Sequence, residues 1–217
     1  MKAFTLLATA LFLVSGVQAQ QSPLPDDINP LSLSRLPPAN PDAMDDYGRR
    51  IYDRVVGLDN PGPVYGPAAF SVHMPRVAEG MDLLNQYLRY DSVIGRANIE
   101  TAILVAAREL DQQYEWAAHE PLALGEGVPQ STIDVIKYHR DTDSLPAEAS
   151  LIVRYGREIF RDHRLSADTW SEAVSLFEQQ GALEISAIMA DYALAAVILT
   201  AIDQQIPDDR PARMPID

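Results

Sequence analysis

The sequence has no cysteine among its 217 residues. Thiol peroxidases, disulfide-exchange enzymes and cysteine-ligated metal centres all need thiolates, so this chain can carry out none of those reactions. Disulfide bonds are excluded as well. A chain of about 200 residues can nevertheless bury a sufficient apolar core without them, so folding must depend on packing.

Positive charge is also scarce. Lysine and arginine number 17 against 31 acidic residues, which gives a formal net charge of −14 at pH 7. An acidic chain is repelled by nucleic acids and by anionic lipid surfaces over any distance that salt does not screen. We therefore expect neither a nucleic-acid partner nor a membrane partner.

Long apolar runs occur at only two places, and the first is residues 3–14. It follows the positive charge of Lys2 and precedes the small-residue pattern that ends at Ala19, which is typical of a signal peptide. The run is too short for a bilayer span, which needs about 20 residues. We predict a signal peptide over residues 1–19, cleaved near Ala19, and a periplasmic or secreted protein.

The second apolar run covers residues 187–202 and is interrupted by Asp191. Glu184 and Asp203 bracket it at a length too short to cross a bilayer. A helix that is apolar nearly all round is usually buried in a core or packed against a neighbouring subunit. Because this run offers more apolar surface than one small domain readily buries, we expect a homo-oligomer.

The remaining chain predicts an all-α protein with an extended N-terminal arm. Eight of the 16 prolines lie within residues 20–66, so this segment is read as a proline-rich arm with one helix, 42–56. Helical spacing then predicts a domain over residues 67–206, followed by a tail over 207–217. Helices of this domain are predicted at 77–88, 98–110, 145–161, 167–180 and 183–202. A further helix is predicted to begin at Ser131, with Asp134 as its capping-box partner, and Gly181 is the predicted stop of the helix at 167–180.

The stretch YEWAAHEPLALGEGV contains the strongest chemical signal. Glu115 and His119 stand four residues apart, which places a carboxylate and an imidazole side by side on one helix face. Tyr114 and Trp116 make the surroundings partly apolar, and the Gly-Glu-Gly turn ends the helix soon afterwards. The pair is either an exposed ion pair worth a few tenths of a kcal/mol or part of a small-ligand site.

The longer run RANIETAILVAARELDQQYEWAAHEPLALGEGVPQSTIDVI resembles the core of the carboxymuconolactone decarboxylase and alkylhydroperoxidase D superfamily. Glu100 matches the first glutamate of that core and His119 the family histidine. The Cys-x-x-Cys of the redox branch falls on Gln112 and Glu115, so peroxide reduction cannot be carried over. The pattern Tyr-Glu-Trp-x-x-His is similar to the cysteine-free branch that includes the decarboxylase. The resemblance implies an alkylhydroperoxidase D-like helical fold and a homo-oligomer.

The resemblance requires the chain to fold back between the two motif segments. On one straight helix Glu100 and Glu115 would lie about 22 Å apart, because each residue adds about 1.5 Å. We therefore predict a break between Leu110 and Gln113, with Asp111 as the N-cap of the second helix, or else a residue supplied by another subunit.

Residue types then suggest cofactor-independent lyase or isomerase chemistry on a small lactone or carboxylic acid. His119 is the proton donor, because histidine titrates near neutrality, and Glu115 and Glu100 orient it and favour its charged form. Arg96 is the candidate anchor for an anionic substrate. The predicted substrate-binding set is completed by Tyr114, Trp116 and His73, while His139 and His163 are assigned to the surface.

Two alternatives use the same residues differently. Glu100, Glu115 and His119 offer two oxygens and one nitrogen to a divalent metal ion, although dedicated transition-metal sites commonly use more histidines. The other alternative is a non-catalytic helical scaffold, because a fold does not fix a function. Neither a metal nor an organic cofactor is required by the acid–base interpretation.

Overall fold

The computed structural model describes residues 24–57, 62–210 and 212–216. Within them the chain forms eight α-helices and no named strand, so the predicted all-α class is confirmed. The helices are α1 (Asp46–Val56), α2 (Gly66–Ser71), α3 (Pro75–Gln86), α4 (Arg96–Glu109), α5 (Gln113–Gly125), α6 (Gln130–Lys137), α7 (Ala147–Arg161) and α8 (Ala167–Ala201). The predicted signal peptide, residues 1–19, lies outside the described residues.

Helix α4 is the centre of the molecule, and α5, α7 and α8 pack around it. Every residue of α4 from Ile99 to Arg108 is buried, which fits a helix whose apolar residues run nearly all round. Gly156 of α7 lets the neighbouring helices approach closely. A Cβ at that position would lie 2.3 Å from Val105 Cγ1 and 3.0 Å from Met189 Cε.

The chain reverses between α4 and α5, as the sequence predicts. Asp111 takes a left-handed backbone conformation with φ 50°, and its carboxylate pairs with Arg108. The predicted N-cap was one residue early, however. Gln112 caps α5 by accepting a hydrogen bond from the Tyr114 backbone N–H, while its amide nitrogen donates to Thr200 Oγ1.

Several predicted helix ends are shifted by one to four residues, and two predicted boundary signals do not act as expected. Helix α6 begins at Gln130 after Pro129, so Ser131 lies inside the first turn and does not form the predicted capping box. The predicted stop at Gly181 is also wrong. The backbone leaves helical geometry at Glu178, with φ 59° and ψ 176°, and Gly181 is buried beyond that break, where a Cβ would lie 2.7 Å from Phe177 Cβ.

Helix α8 is the one described helix that is long and apolar enough to cross a membrane, yet much of it belongs to the core. Its most apolar window has a mean hydropathy of 1.8 and is 56% buried within the protein. The rest of its apolar surface faces outward. Leu183, Leu194 and Val197 are 54%, 43% and 65% exposed and follow one another at helical spacing.

The proline-rich arm lies against the C-terminal end of α8. The Arg35 backbone N–H donates to the Ile202 carbonyl, and the Gln205 backbone N–H donates to the Leu33 carbonyl. The helix predicted within the arm at 42–56 is α1, which begins at Asp46 because the Asp45 side chain caps it. The arm is therefore held by main-chain hydrogen bonds to the residues that follow α8.

Candidate active site

The fold-back brings the two motif segments into contact at the centre of the protein. Glu100, in the second turn of α4, is fully buried, and its Oε2 lies 2.7 Å from His119 Nδ1 on α5. The neighbouring α4 and α5 therefore place both side chains on their shared face. Since Nδ1 faces Glu100, Nε2 is the ring nitrogen left for a ligand.

Arg89 fixes the other side of the Glu100 carboxylate. It lies in a π-helical turn, Tyr87–Asp91, and its Nη2 donates to Glu100 Oε1 at 3.1 Å. Burial alone would raise the pKa of Glu100, but the hydrogen bond and charge of His119, together with Arg89, bring that pKa below its ordinary value. Glu100 is thus held as a carboxylate. Sequence reasoning missed Arg89, because no periodic signal marks an irregular turn.

Glu115 occupies a different environment on the far side of the imidazole. Its Oε2 lies 3.7 Å from His119 Nε2, and its buried Oε1 has no hydrogen-bond partner among the described residues. Burial raises the pKa of Glu115, although the charge of His119 opposes the rise. The sequence assigned Glu115 and Glu100 the same role, but at Glu115 burial outweighs the opposing charges of His119, Arg210 and Arg89, so its pKa is raised where that of Glu100 is lowered.

Helix α8 adds two side chains that sequence reasoning did not place at the site. Asp191 is 6% exposed, accepts a hydrogen bond from Asn85 Nδ2 at 3.2 Å, and has its pKa raised by burial. The Tyr192 ring meets the His119 ring edge-on with centroids 5.0 Å apart. Burial also raises the pKa of Tyr192. Asp191 was visible in the sequence only as an interruption of an apolar run.

These groups line a cavity of about 620 Å³. His119, Glu115 and Asp191 form its polar wall, while Glu100 lies behind His119 and does not reach the cavity. Helices α1, α2 and α3 close the opposite side with mainly apolar side chains, among them Val55, Ala68 and Met81. The lining also includes Asp82, Asn85, Arg89 and Arg210. A cavity that combines apolar side chains with convergent polar groups is the usual form of a small-molecule site.

One part of the cavity wall combines α5 with the C-terminal tail. Arg210 of the tail lies 4.9 Å from the centroid of the Tyr114 ring, and both residues line the cavity. Burial raises the pKa of Tyr114, and the Arg210 charge opposes that rise. Gly66, with φ 65°, lies under the same ring, where a Cβ would be 2.3 Å from Tyr114 Cε1. Only glycine fits this position without displacing the tyrosine.

Three residues predicted for substrate binding lie elsewhere. Arg96 pairs with Glu126 at 2.8 Å outside the cavity lining, because it lies at the first position of α4 and faces the end of α5. Trp116 is fully buried in the core and donates to Glu120 at 2.5 Å. His73 lines a separate cavity of about 410 Å³ beside the proline-rich arm.

The two histidines assigned to the surface differ from each other. His163 is exposed, whereas His139 is partly buried and its Nδ1 lies 3.5 Å from Glu109 Oε1. Burial and the neighbouring arginines lower the pKa of His139. Among the residues that the structure describes, no three histidine, aspartate or glutamate side chains are arranged to hold a metal ion.

Comparisons with known proteins connect this geometry to a fold. No protein-family model and no curated protein matches the chain. Among solved structures, the chain is similar to the alkylhydroperoxidase D core of an uncharacterized peroxidase-related protein from Ralstonia eutropha, at 18% identity and a TM-score of 0.64, covering 82% of this chain and 94% of that one. The chain has the alkylhydroperoxidase D-like fold.

Two further structures support that assignment. A debrominase in complex with 2,3,4-tribromopyrrole matches at 15% identity and a TM-score of 0.60, covering 79% of this chain and 90% of that chain. A putative antioxidant defence protein from Agrobacterium tumefaciens matches at 11% identity and a TM-score of 0.57, covering 64% and 95%. Within the alkylhydroperoxidase D-like fold, the present chain has no cysteine and places Glu115 beside its central histidine.

Proposed function

We propose that this protein is a cofactor-independent lyase or isomerase that transfers protons on a small lactone or carboxylic acid. The observation that carries the proposal is the buried Glu100–His119 pair, 2.7 Å apart, at the wall of a cavity of about 620 Å³. The chemistry is general acid–base catalysis, in which a positioned side chain moves a proton in the transition state.

Glu100 determines which nitrogen of His119 reacts. A carboxylate at Nδ1 holds the proton there, so the neutral imidazole presents an unprotonated Nε2 to the cavity. Arg89 keeps Glu100 ionised and stationary, as the lowered pKa of Glu100 indicates. Nε2 can then remove a proton from a carbon next to a carbonyl group, or, once protonated, return one to carbon.

Glu115 supplies the complementary acid. Because burial raises its pKa, its carboxyl group can donate a hydrogen bond to the substrate carbonyl oxygen on which charge develops. In an isomerisation, Nε2 takes the proton from one carbon and returns it to another. In a decarboxylation, the electrons of the breaking C–C bond pass into the carbonyl system, carbon dioxide leaves, and protonated His119 donates a proton to the carbon.

The size of the cavity agrees with a small ring substrate. A debrominase that shares this fold binds a substituted pyrrole, which is a five-membered ring comparable in size to a lactone. The absence of cysteine keeps the peroxidase activity suggested by the other neighbours out of the proposal.

The test is a substrate screen on the purified mature protein in deuterium oxide. Small lactones and carboxylic acids with acidic C–H bonds are followed by NMR for exchange, isomerisation or loss of carbon dioxide. His119→Ala is expected to abolish turnover, whereas His163→Ala, a change at an exposed histidine, retains it. Turnover that survives in His119→Ala contradicts the proposal, and an inert wild type that retains stoichiometric metal supports the metal-binding alternative.

We further propose that a second copy of the chain covers the outward apolar face of α8. Leu183, Leu194 and Val197 are exposed and lie 11 and three residues apart. These spacings fit the seven-residue repeat, with steps of three and four residues, by which two helices pack together. Wild-type protein is expected to sediment as an oligomer, and Val197→Glu as a smaller species. A monomeric wild type contradicts this proposal.

We also propose that the protein is exported from the cytoplasm. Residues 1–19 would direct the chain across a membrane and then be removed near Ala19. Intact-mass measurement of the protein recovered from its native compartment is expected to give a chain beginning near Gln20. Recovery of the full-length chain in the cytoplasm contradicts that expectation.

A further inference from the structure

We infer that Arg210 of the C-terminal tail anchors a free carboxylate of the substrate, so that the enzyme acts on small monocarboxylates. This inference rests on the proposed function. It assigns a binding role to a segment that lies 91 residues beyond His119 in the sequence.

The distribution of charge around the cavity selects Arg210. Two guanidinium groups line the cavity, those of Arg89 and Arg210. Arg89 is committed to Glu100 at 3.1 Å, and Arg96 pairs with Glu126 outside the cavity. Arg210 instead lies over the Tyr114 ring and is hydrogen-bonded to the Tyr114 side chain, which is an uncharged partner. It is therefore the cationic group available to an anionic ligand.

The tail is fixed to the helix that carries the reactive groups. Gln113, the first residue of α5, donates from Nε2 to the Met214 carbonyl at 2.6 Å and accepts from the Met214 backbone N–H at 3.2 Å. Met214 is 4% exposed. On the other side of Arg210, Gln204 Oε1 accepts from the Gly66 backbone N–H at 3.2 Å. Arg210 is thus held between two anchored points.

The neighbouring carboxyl groups have contacts of their own: Glu115 lies beside His119, and Asp191 accepts a hydrogen bond from Asn85. Burial raises the pKa of both Glu115 and Asp191, and at Glu115 the charges of His119 and Arg210 oppose that rise. The buried Oε1 of Glu115 has no partner among the described residues, so it is available for a hydrogen bond with a bound molecule. Arg210, Glu115 and His119 line the same cavity, so a ligand whose carboxylate binds Arg210 shares that space with both acid–base groups. The guanidinium group of Arg210 can form a two-pronged contact with one carboxylate.

Benzoate and benzamide provide a matched pair of probes, because they share shape and differ in charge. Calorimetry at pH 7 is expected to show that the wild type binds benzoate at least tenfold more tightly than benzamide. Arg210→Gln is expected to remove that preference, mainly by weakening benzoate. Arg164→Gln, at an exposed arginine outside the cavity lining, is the control and is expected to retain the preference.

Three results overturn the inference: a wild type that binds neither probe, a wild type that prefers benzamide, or an Arg210→Gln variant that keeps the wild-type preference. Thermal melting verifies that each variant is folded. His119→Ala separates this inference from the proposed function, because it is expected to keep the benzoate preference while losing turnover. A proton-transfer reaction that persists in His119→Ala therefore contradicts the proposed function but not the role of Arg210 in binding the carboxylate.

Discussion

Two clusters in this molecule pair a histidine with a buried glutamate, and they have different consequences. In the cavity, His119 lies between Glu100 and Glu115, whose Oε1 has no partner among the described residues. In the second cluster, Glu109 contacts His139, Arg157 and Arg161, and both of its oxygens accept hydrogen bonds from Arg161. The first cluster has hydrogen-bonding capacity left for a ligand, whereas the second uses the capacity of its carboxylate within the fold.

Residue types alone therefore do not identify a functional site. The balance of charge is reversed between the clusters, because Glu109 is surrounded by cations while His119 is surrounded by carboxyl groups. Burial lowers the pKa of His139, and the neighbouring arginines add to that effect. The first cluster lines a cavity, and a reaction requires room for a substrate as well as a histidine–glutamate pair.

Glu100→Gln is expected to produce the largest effect. The amide can no longer hold the Nδ1 proton of His119 as a carboxylate does, so turnover should fall by roughly 10²- to 10⁴-fold, the usual range for general acid–base catalysis. Glu109→Gln should leave turnover within about twofold of the wild type. NMR of the imidazole nitrogens tests whether Glu100 acts as a positioning residue, because its loss should change the tautomer of His119 and leave that of His139 unchanged.

Glu109→Ala is expected to lower the free energy of unfolding, whereas substitutions in the cavity are expected to lower turnover. Removing a carboxylate with 4% side-chain exposure leaves Arg157 and Arg161 without their shared partner. The loss should be about 3 kcal/mol, the lower end of the cost of breaking a buried pair, because Arg161 itself is partly exposed. Urea denaturation measures it, and a loss no larger than that of a surface substitution contradicts the assignment.

Glu115→Gln should change the dependence of stability on pH. The pKa of Glu115 is raised on folding, so the folded state binds more protons than the unfolded state, and stability declines as pH rises from the unfolded pKa through the folded one. The glutamine variant lacks this decline. Its stability relative to the wild type should therefore be higher at pH 8 than at pH 4, as measured by urea midpoints. A difference that does not vary with pH contradicts the predicted protonation.

His139→Gln should have the smallest effect and the opposite pH direction. Its pKa is lowered on folding, so the contribution of neutral His139 is present above the unfolded pKa and is lost as pH falls through the folded one. The variant is expected to lose slightly less stability than the wild type between pH 7 and pH 5. Thermal melting at both pH values detects this, and an unchanged turnover rate confirms that the second cluster is structural.

The sequence predicted the parts of the site that depend on nearby residues. The four-residue spacing of Glu115 and His119 places them on one helix face, and the rise per residue required a reversal before α5. The reversal lies at Asp111, and it brings Glu100 to His119. The same periodicity explains why Trp116 lies in the core, because it is one residue beyond Glu115 and so points about 100° away on the helix.

The missing parts come from distant or irregular segments. Arg89 lies in a π-helical turn, which has no hydrophobic repeat of its own. Asp191 and Tyr192 belong to a helix whose apolar pattern indicates burial but not its neighbours. Arg210 follows the last helix and reaches the cavity only because Gln113 binds the tail. Such positions depend on tertiary packing, which no local pattern encodes.

Gly66 has a practical consequence for redesigning the cavity. Since a backbone atom supports the Tyr114 ring, and Arg210 in turn lies on that ring, even a methyl group at residue 66 would move the tyrosine. Attempts to enlarge the cavity should therefore replace Met81 or Leu122 with smaller residues and leave this glycine unchanged. Selectivity and pocket volume can then be engineered separately.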